Sequence, residues 1–136
     1  MTLLVDTCAL IFLTVEDDGS EAATTAIQNA YQTGEALCVS PISAWEIGLL
    51  VAKGRLKLPH SPHRWFELAM RRAGLALADL TTDVLVASSF LPESPLRDPA
   101  DKIIAATARE YDYTLLTRDR LLLSYADKGY LRAISC

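Results

Sequence analysis

The stretch LLVDT at residues 3–7 decides how the chain folds, because it joins an apolar run to a carboxylate. Three consecutive apolar residues at 3–5 are typical of a short buried strand. Asp6 follows them directly, and a carboxylate at the end of a buried strand is costly unless its charge is compensated. The remaining sequence must therefore supply whatever Asp6 faces.

Strand-like and helix-like segments alternate along the rest of the chain. This alternation predicts parallel strands joined by right-handed crossovers in one doubly wound α/β sheet. Ligands of such sheets bind beyond the carboxyl ends of the strands. The predicted strands are residues 3–6, 36–40, 75–80, 113–117 and 131–135, and the predicted helices are 8–15, 20–34, 40–54, 63–74, 81–92 and 98–112, with a further candidate at 120–127.

Composition indicates an ordinary globular protein. The 136 residues are 51% hydrophobic and 22% charged, which predicts a single domain spanning residues 1–136. No apolar run is long enough to cross a bilayer, and no Lys or Arg precedes the first apolar stretch. The three cysteines, Cys8, Cys38 and Cys136, form no C-x-x-C motif. We therefore expect a cytoplasmic protein with reduced thiols and no membrane partner.

Charge is unevenly distributed along the chain, whose net charge is −4. Residues 1–52 contain seven acids and no Lys or Arg, whereas residues 53–72, here called the basic segment, contain six Lys or Arg against only Glu67. Such a segment can bind a phosphate backbone, although a solvated helix end and loop is the simpler explanation of the charges by themselves. His60 and His63 lack a neighbouring Cys or acid, so they fit this basic surface better than a metal site.

Three further acids lie in apolar surroundings, as Asp6 does. Glu46 lies in a helix that is apolar almost all round, and Asp101 shares the inner face of another helix. Asp119 follows its strand almost as closely as Asp6 follows the first. The same-face neighbours are Ile42, Leu49 and Leu50 for Glu46, and Ile104, Ala105 and Ala108 for Asp101.

Each acid also has a purely structural interpretation. Asp98 before Pro99 is typical of a helix N-cap, and Asp101 would then suit the positive end of the same helix. Asp119 is placed to cap the following helix. Asp6 and Glu46 would be ordinary buried acids if each paired with a cation, for which the candidates are Arg97, Lys102, Arg118 and Arg120.

Taken together, the acids point to a metal site. Asp6 and Asp119 end strands, Asp101 opens a helix that precedes a strand, and Glu46 lies early in the helix after the second strand. All four therefore map to one edge of a parallel sheet, where carboxylates would repel one another. A hard divalent cation relieves that repulsion, and oxygen-only ligands favour Mg²⁺ or Mn²⁺ over zinc. Such a site typically cleaves phosphodiesters through a metal-activated water.

The ordered motifs LLVDT, SAWEIG, DPADKIIAATA and LLTRD resemble those of the PIN-domain family, and KGRLKLP extends the match. Within that family the chain is similar to VapC-type ribonuclease toxins. The resemblance implies a three-layer α/β/α domain with a central, mostly parallel sheet. It also implies a Mg²⁺- or Mn²⁺-dependent endoribonuclease, leaving 5′-phosphate and 3′-hydroxyl ends, with a cognate antitoxin that occludes the site. The expected assembly is a homodimer or a toxin–antitoxin hetero-oligomer.

The same resemblance assigns the site residues. Asp6, Glu46 and Asp101 are implied to be catalytic and to bind the metal, and Asp119 completes the site directly or through water. Asp98 is expected to contact a metal-bound water. Thr7 and Thr117 match hydroxyls that flank these acids and are expected to hydrogen-bond them. Contacts to the RNA backbone are expected from Arg97, Lys102, Arg118 or the basic segment.

Two departures from the family pattern leave other functions open. The chain has DTC where such relatives often have DTH, and LRDP with Leu96 where they often have HRDP. A module that binds RNA or a partner without cleaving is therefore one alternative. A phosphatase or phosphoacceptor with Asp6 as nucleophile is another, but Cys8 stands where such phosphatases need a second Asp, and LLTRD has Arg where receiver domains need Lys.

Overall fold

Five short strands form one sheet in the computed structural model, which describes residues 2–15 and 20–136. The spatial order is β3-β2-β1-β4-β5, and every neighbouring pair is parallel. The predicted α/β class is confirmed, and the sheet is entirely rather than mostly parallel. The strands are β1 (Leu3–Val5), β2 (Leu37–Val39), β3 (Leu75–Leu77), β4 (Thr114–Thr117) and β5 (Arg132–Ser135).

Helices connect the strands and cover the sheet. Each predicted helix is present, and the candidate after β4 is also helical. Bounds differ most for the helix predicted over 81–92, which ends at Ala87. The Ser88 hydroxyl there donates to the main-chain oxygen of Leu85 at 2.6 Å and competes with helix continuation. The helices are α1 (Thr7–Val15), α2 (Glu21–Thr33), α3 (Pro41–Ala52), α4 (Pro62–Ala73), α5 (Thr82–Ala87), α6 (Pro99–Tyr111) and α7 (Arg120–Asp127).

Strand alternation gives the sheet two buried faces, and a separate apolar core covers each. Leu3 and Val5 belong to the first core, whereas Leu4, which lies between them, belongs to the second. Helices α1, α2 and α4 supply most of the first core, and α6 and α7 supply most of the second. Burial on both faces explains why β1 and β2 are continuous apolar runs rather than alternating ones.

The cysteines and the lengths of the helices describe two further properties of the fold. Cys8, Cys38 and Cys136 are free, with Cys8 exposed and the other two buried. No helix within residues 2–15 and 20–136 combines the length and apolarity needed to cross a membrane.

Replacing Ser40 with Ala is expected to lower the free energy of unfolding by about 1–2 kcal/mol, because its side chain caps α3. Ser40 is 1% exposed, and its hydroxyl oxygen accepts the Ile42 N–H at 3.1 Å. Ser61 is the matched control, since it caps α4 at the surface through a longer contact of 3.4 Å. Urea unfolding measures both variants. Equal losses for the two would contradict the assignment of extra stability to the buried cap.

Candidate active site

Asp6 and Thr117 lie side by side at the carboxyl edge of the sheet. Val5 pairs with Leu116 across β1 and β4, so the next residue of each strand reaches the same point. The carboxylate of Asp6 is only 4% exposed, and both of its oxygens accept hydrogen bonds. Oδ1 accepts the Ala9 N–H at 2.7 Å, and Oδ2 accepts the hydroxyl of Thr117. These contacts fix the carboxylate at the start of α1.

Glu46 projects toward the same edge from the second turn of α3. The hydroxyl of Thr7 donates to its Oε1, and the same hydroxyl is hydrogen-bonded to that of Ser43 at 2.8 Å. Thr7 directly follows Asp6, so this contact joins the end of β1 to α3. Thr7 and Thr117 thus each contact one of the predicted acids.

Helices α6 and α7 bring three more acids to this edge. Asp98 caps α6 by accepting the Ala100 N–H at 2.8 Å, and Asp119 caps α7 by accepting the Leu122 N–H at 3.0 Å. The main-chain N–H of Asp119 also donates to the hydroxyl oxygen of Thr117 at 3.0 Å. Asp101 is half-buried in the first turn of α6, and its side chain makes no hydrogen bond or ion pair to any other described residue.

The charge of every other acid in the group affects the pKa of Asp101. Burial and, after it, the charges of Asp98, Asp119, Glu46 and Asp6 together raise its pKa to about 7. Charges act on a carboxyl in this way only over short distances, so the other four acids lie near Asp101. The structure therefore brings together the acids that the sequence singled out.

Asp6 and Glu46 experience the same conflict, moderated by their hydroxyl partners. Burial raises the pKa of Asp6, the Thr117 hydroxyl and the Ala9 N–H lower it, and the charge of Asp119 raises it. Burial likewise raises the pKa of Glu46, which its hydrogen bond to Thr7 lowers. Without the threonines, both carboxyls would be harder to ionise.

Ordinary ion pairs do not neutralise these acids. Among the described residues, none of Asp6, Glu46 and Asp101 forms a salt bridge with Arg or Lys, which was the structural alternative for the first two. Exposed pairs lie elsewhere, between His63 and Glu67 and between Arg132 and Asp112. The group thus retains uncompensated negative charge.

The donor set fits Mg²⁺ or Mn²⁺ in chemistry, because it offers carboxylate and hydroxyl oxygens. In the described part of the chain, no three Asp, Glu, His or Cys side chains stand in an arrangement ready to enclose a metal ion. Hydrogen bonds to Thr117, Thr7 and the Leu122 N–H orient Asp6, Glu46 and Asp119 individually, while repulsion opposes their approach. Bringing three of these carboxylates around one metal ion would require rotations of their side chains, and binding of a divalent cation would favour those rotations.

The two departures from the family pattern occupy different environments. Burial and, after it, the charges of Asp6, Glu46, Asp101 and Asp119 together raise the pKa of the Cys8 thiol to about 11, so this neutral thiol adjoins the acids. In the sequence, only its position two residues after Asp6 indicated that Cys8 lies beside the acids.

Leu96, in contrast, is 5% exposed and packs in the second apolar core. The difference at this position therefore adds apolar packing next to α6 without adding a group to the acid cluster.

The helical part of the basic segment lines a separate cavity. This cavity of about 550 Å³ lies between α1 and α4, and no acid lines it. The side chain of His63 contacts that of Glu67 at the surface, at 3.1 Å. The lining residues are Thr14, Pro59, His60, Trp65, Leu68, Ala69, Arg71 and Arg72.

Comparison with known proteins agrees with this architecture. The PIN domain family model matches residues 3–128. Ribonuclease VapC22 of Mycobacterium tuberculosis is 31% identical over 125 residues, which cover 91% of this chain and 92% of the relative.

Solved structures share the fold at low sequence identity. A VapBC2 complex from Rickettsia felis, bound to a DNA fragment from the promoter, superposes with a TM-score of 0.71 at 14% identity, covering 99% of this chain and 98% of the other. VapBC-1 from nontypeable Haemophilus influenzae gives a TM-score of 0.68 at 15% identity with the same coverage. The sheet order, the acid positions and the match over nearly the whole length lead to one conclusion: the chain belongs to the PIN-domain family.

Proposed function

We propose that this protein is a Mg²⁺- or Mn²⁺-dependent endoribonuclease and the toxin of a toxin–antitoxin pair. The observation that carries the proposal is the group of mutually repelling carboxyls at the carboxyl edge of the sheet, left without a cation from the chain. Similarity to a VapC ribonuclease over most of the chain supports RNA as the substrate.

Asp6, Glu46 and Asp101 would hold the divalent ion, and Asp119 would complete the site directly or through a water. When bound, the ion supplies an acidified water and neutralises charge on the phosphate and the leaving oxygen. Asp98 would orient that water from the start of α6. Thr117 and Thr7 keep Asp6 and Glu46 in ionisable, oriented states.

The expected protein partner is a cognate antitoxin that covers this site. Support comes from the VapBC complexes among the structures with the same fold. Such assemblies also make a homodimer or a toxin–antitoxin hetero-oligomer the expected state of this chain. Co-purification from cells expressing the chain with its neighbouring reading frame tests the partner directly.

Cleavage of bacterial total RNA tests the activity. We expect fragments with 5′-phosphate and 3′-hydroxyl ends in the presence of Mn²⁺ or Mg²⁺, and no fragments with EDTA. Equal cleavage with and without EDTA would overturn the metal requirement. A folded, antitoxin-free protein that binds RNA and leaves it intact with either metal would favour the non-cleaving alternative instead.

Replacing Thr117 with Val is expected to raise the Mn²⁺ concentration for half-maximal cleavage about tenfold. The change removes the hydroxyl that donates to Asp6 and accepts the Asp119 N–H, so Asp6 ionises less readily. Thr107→Val is the matched control, because Thr107 is equally buried but donates only to Ile103 within α6. The prediction fails if both variants need the same metal concentration as the wild type.

A further inference from the structure

Arg118 is held in one orientation beside the acid site. It lies between Thr117 and Asp119, at the end of β4. Its Cζ stands 3.2 Å from the centroid of the Phe12 ring, and its Nε donates to the main-chain oxygen of Cys136 at 2.9 Å. Two contacts from different parts of the fold therefore fix a side chain that is exposed to solvent.

These contacts leave the terminal amino groups of the guanidinium available. In the described part of the chain, no Asp or Glu side chain forms a salt bridge with them. Burial raises the pKa of the Cys136 thiol, the charge of Asp6 raises it further, and the charge of Arg118 lowers it. Cys136 therefore lies near both Asp6 and Arg118. Arg118 is thus held beside the acid group without pairing with its carboxylates.

A fixed arginine of this kind suits a phosphate. Holding a long side chain at the surface costs conformational entropy, and the contact with the buried Phe12 ring returns only part of it. A guanidinium already oriented loses little more when its planar fork binds two oxygens of a phosphate. Arg118 follows β4 at the carboxyl end of the sheet. An RNA strand must approach this end of the sheet to reach Asp6.

We propose that Arg118 binds a backbone phosphate of the RNA that flanks the cleaved phosphate, with Phe12 and the Cys136 main chain as its supports. The inference rests on the proposed ribonuclease function and identifies which cation contacts the substrate. A flanking phosphate fits better than the cleaved one, because Arg118 makes no pair with the acids that would hold the reacting group. Its loss should consequently weaken RNA binding more than the chemical step.

Binding of a labelled single-stranded RNA of random sequence, measured in EDTA over a range of salt concentrations, tests the contact without the metal. Arg118→Gln is expected to weaken affinity about five- to tenfold and to reduce the slope of log affinity against log salt by about 0.7, the loss of one phosphate contact. Arg118→Lys keeps the charge but loses the fork, so affinity should fall with the slope retained.

Arg109→Gln is the matched control. Arg109 also donates to a main-chain oxygen, that of Tyr130, but it lies at the far end of α6, near the opposite edge of the sheet. Its replacement changes net charge equally and should leave the salt slope unchanged. Phe12→Leu keeps the Arg118 charge and removes the ring face, so we expect about two- to threefold weaker binding at unchanged slope.

Steady-state cleavage separates the outcomes. Arg118→Gln should raise KM about five- to tenfold with kcat within about twofold of the wild type. Equal effects of the Arg118 and Arg109 changes would overturn the proposal, as would an unchanged slope in Arg118→Gln. Retained RNA binding with weakened antitoxin binding would assign Arg118 to the protein partner instead. A wild-type protein that neither binds nor cleaves RNA would refute the ribonuclease function itself.

Discussion

Asp101→Asn is expected to lower the rate of RNA cleavage at saturating Mn²⁺ by at least about a hundredfold, because groups that merely support a metal ligand already contribute 10- to 100-fold. Asp101 lies in the first turn of α6, and its side chain makes no hydrogen bond or salt bridge to the other described residues, so its carboxylate is free to bind a cation. The substitution is nearly isosteric and removes one negative charge from a crowded group. The fold should therefore survive it.

Thermal unfolding distinguishes lost chemistry from lost structure. Without metal, Asp101→Asn should melt at the same temperature as the wild type or higher, since the repulsion of Asp101 by Asp98, Asp119 and Glu46 is removed. Glu110→Gln is the matched control, because Glu110 is exposed at the other end of the same helix. Undiminished cleavage by Asp101→Asn would remove Asp101 from the metal site.

The second large effect is the dependence of stability on pH and metal. In the unfolded chain the pKa of Asp101 lies near the ordinary aspartate value of 3.8, whereas in the folded protein burial and the neighbouring acids together raise this pKa to about 7. Because the folded state binds the extra proton, stability is highest at low pH within this window and is lost as pH rises through about 7. For a half-buried group we expect a loss of about 1–2 kcal/mol after allowing for solvent screening.

A divalent cation should reverse that loss. Binding only to the folded state adds about 2.7 kcal/mol at a metal concentration a hundredfold above Kd. Melting curves with EDTA, Mg²⁺ and Mn²⁺ at about pH 6 and about pH 8 measure the effect, which should be larger at the higher pH because the carboxyls are then ionised. Metal-independent melting temperatures at both pH values would exclude tight binding by the free protein.

Local sequence signals were sufficient for the elements and for the caps. Apolar runs located every strand, and the predicted helix starts at residues 20 and 40 coincide with the N-caps of α2 and α3. The end of α5 was wrong because the apolar pattern continues past Ala87, whereas the hydroxyl of Ser88 competes for a main-chain carbonyl. A hydrophobic pattern does not detect this competition, because it depends on a hydrogen bond from a polar side chain.

The acids show why individual interpretations were insufficient. Asp98 and Asp119 are indeed helix caps, as their isolated contexts suggested. Capping and clustering coincide because α6 and α7 both begin at the carboxyl edge of the sheet. The sequence indicated this shared edge, but the hydrogen bond between Asp6 and Thr117 joins residues 111 positions apart and depends on β1 pairing with β4. Strand order is non-local, and no local pattern along the chain specifies it.

The position of a bound metal tests the central claim most directly. Crystals grown with Mn²⁺ and measured at wavelengths on both sides of its absorption edge locate the ion without assuming its ligands. We predict an anomalous peak within coordination distance of carboxylate oxygens of Asp6, Glu46 and Asp101, on the side of the sheet edge where Asp119 caps α7. A peak elsewhere, or none at these carboxylates in crystals saturated with Mn²⁺, would contradict the proposed active site.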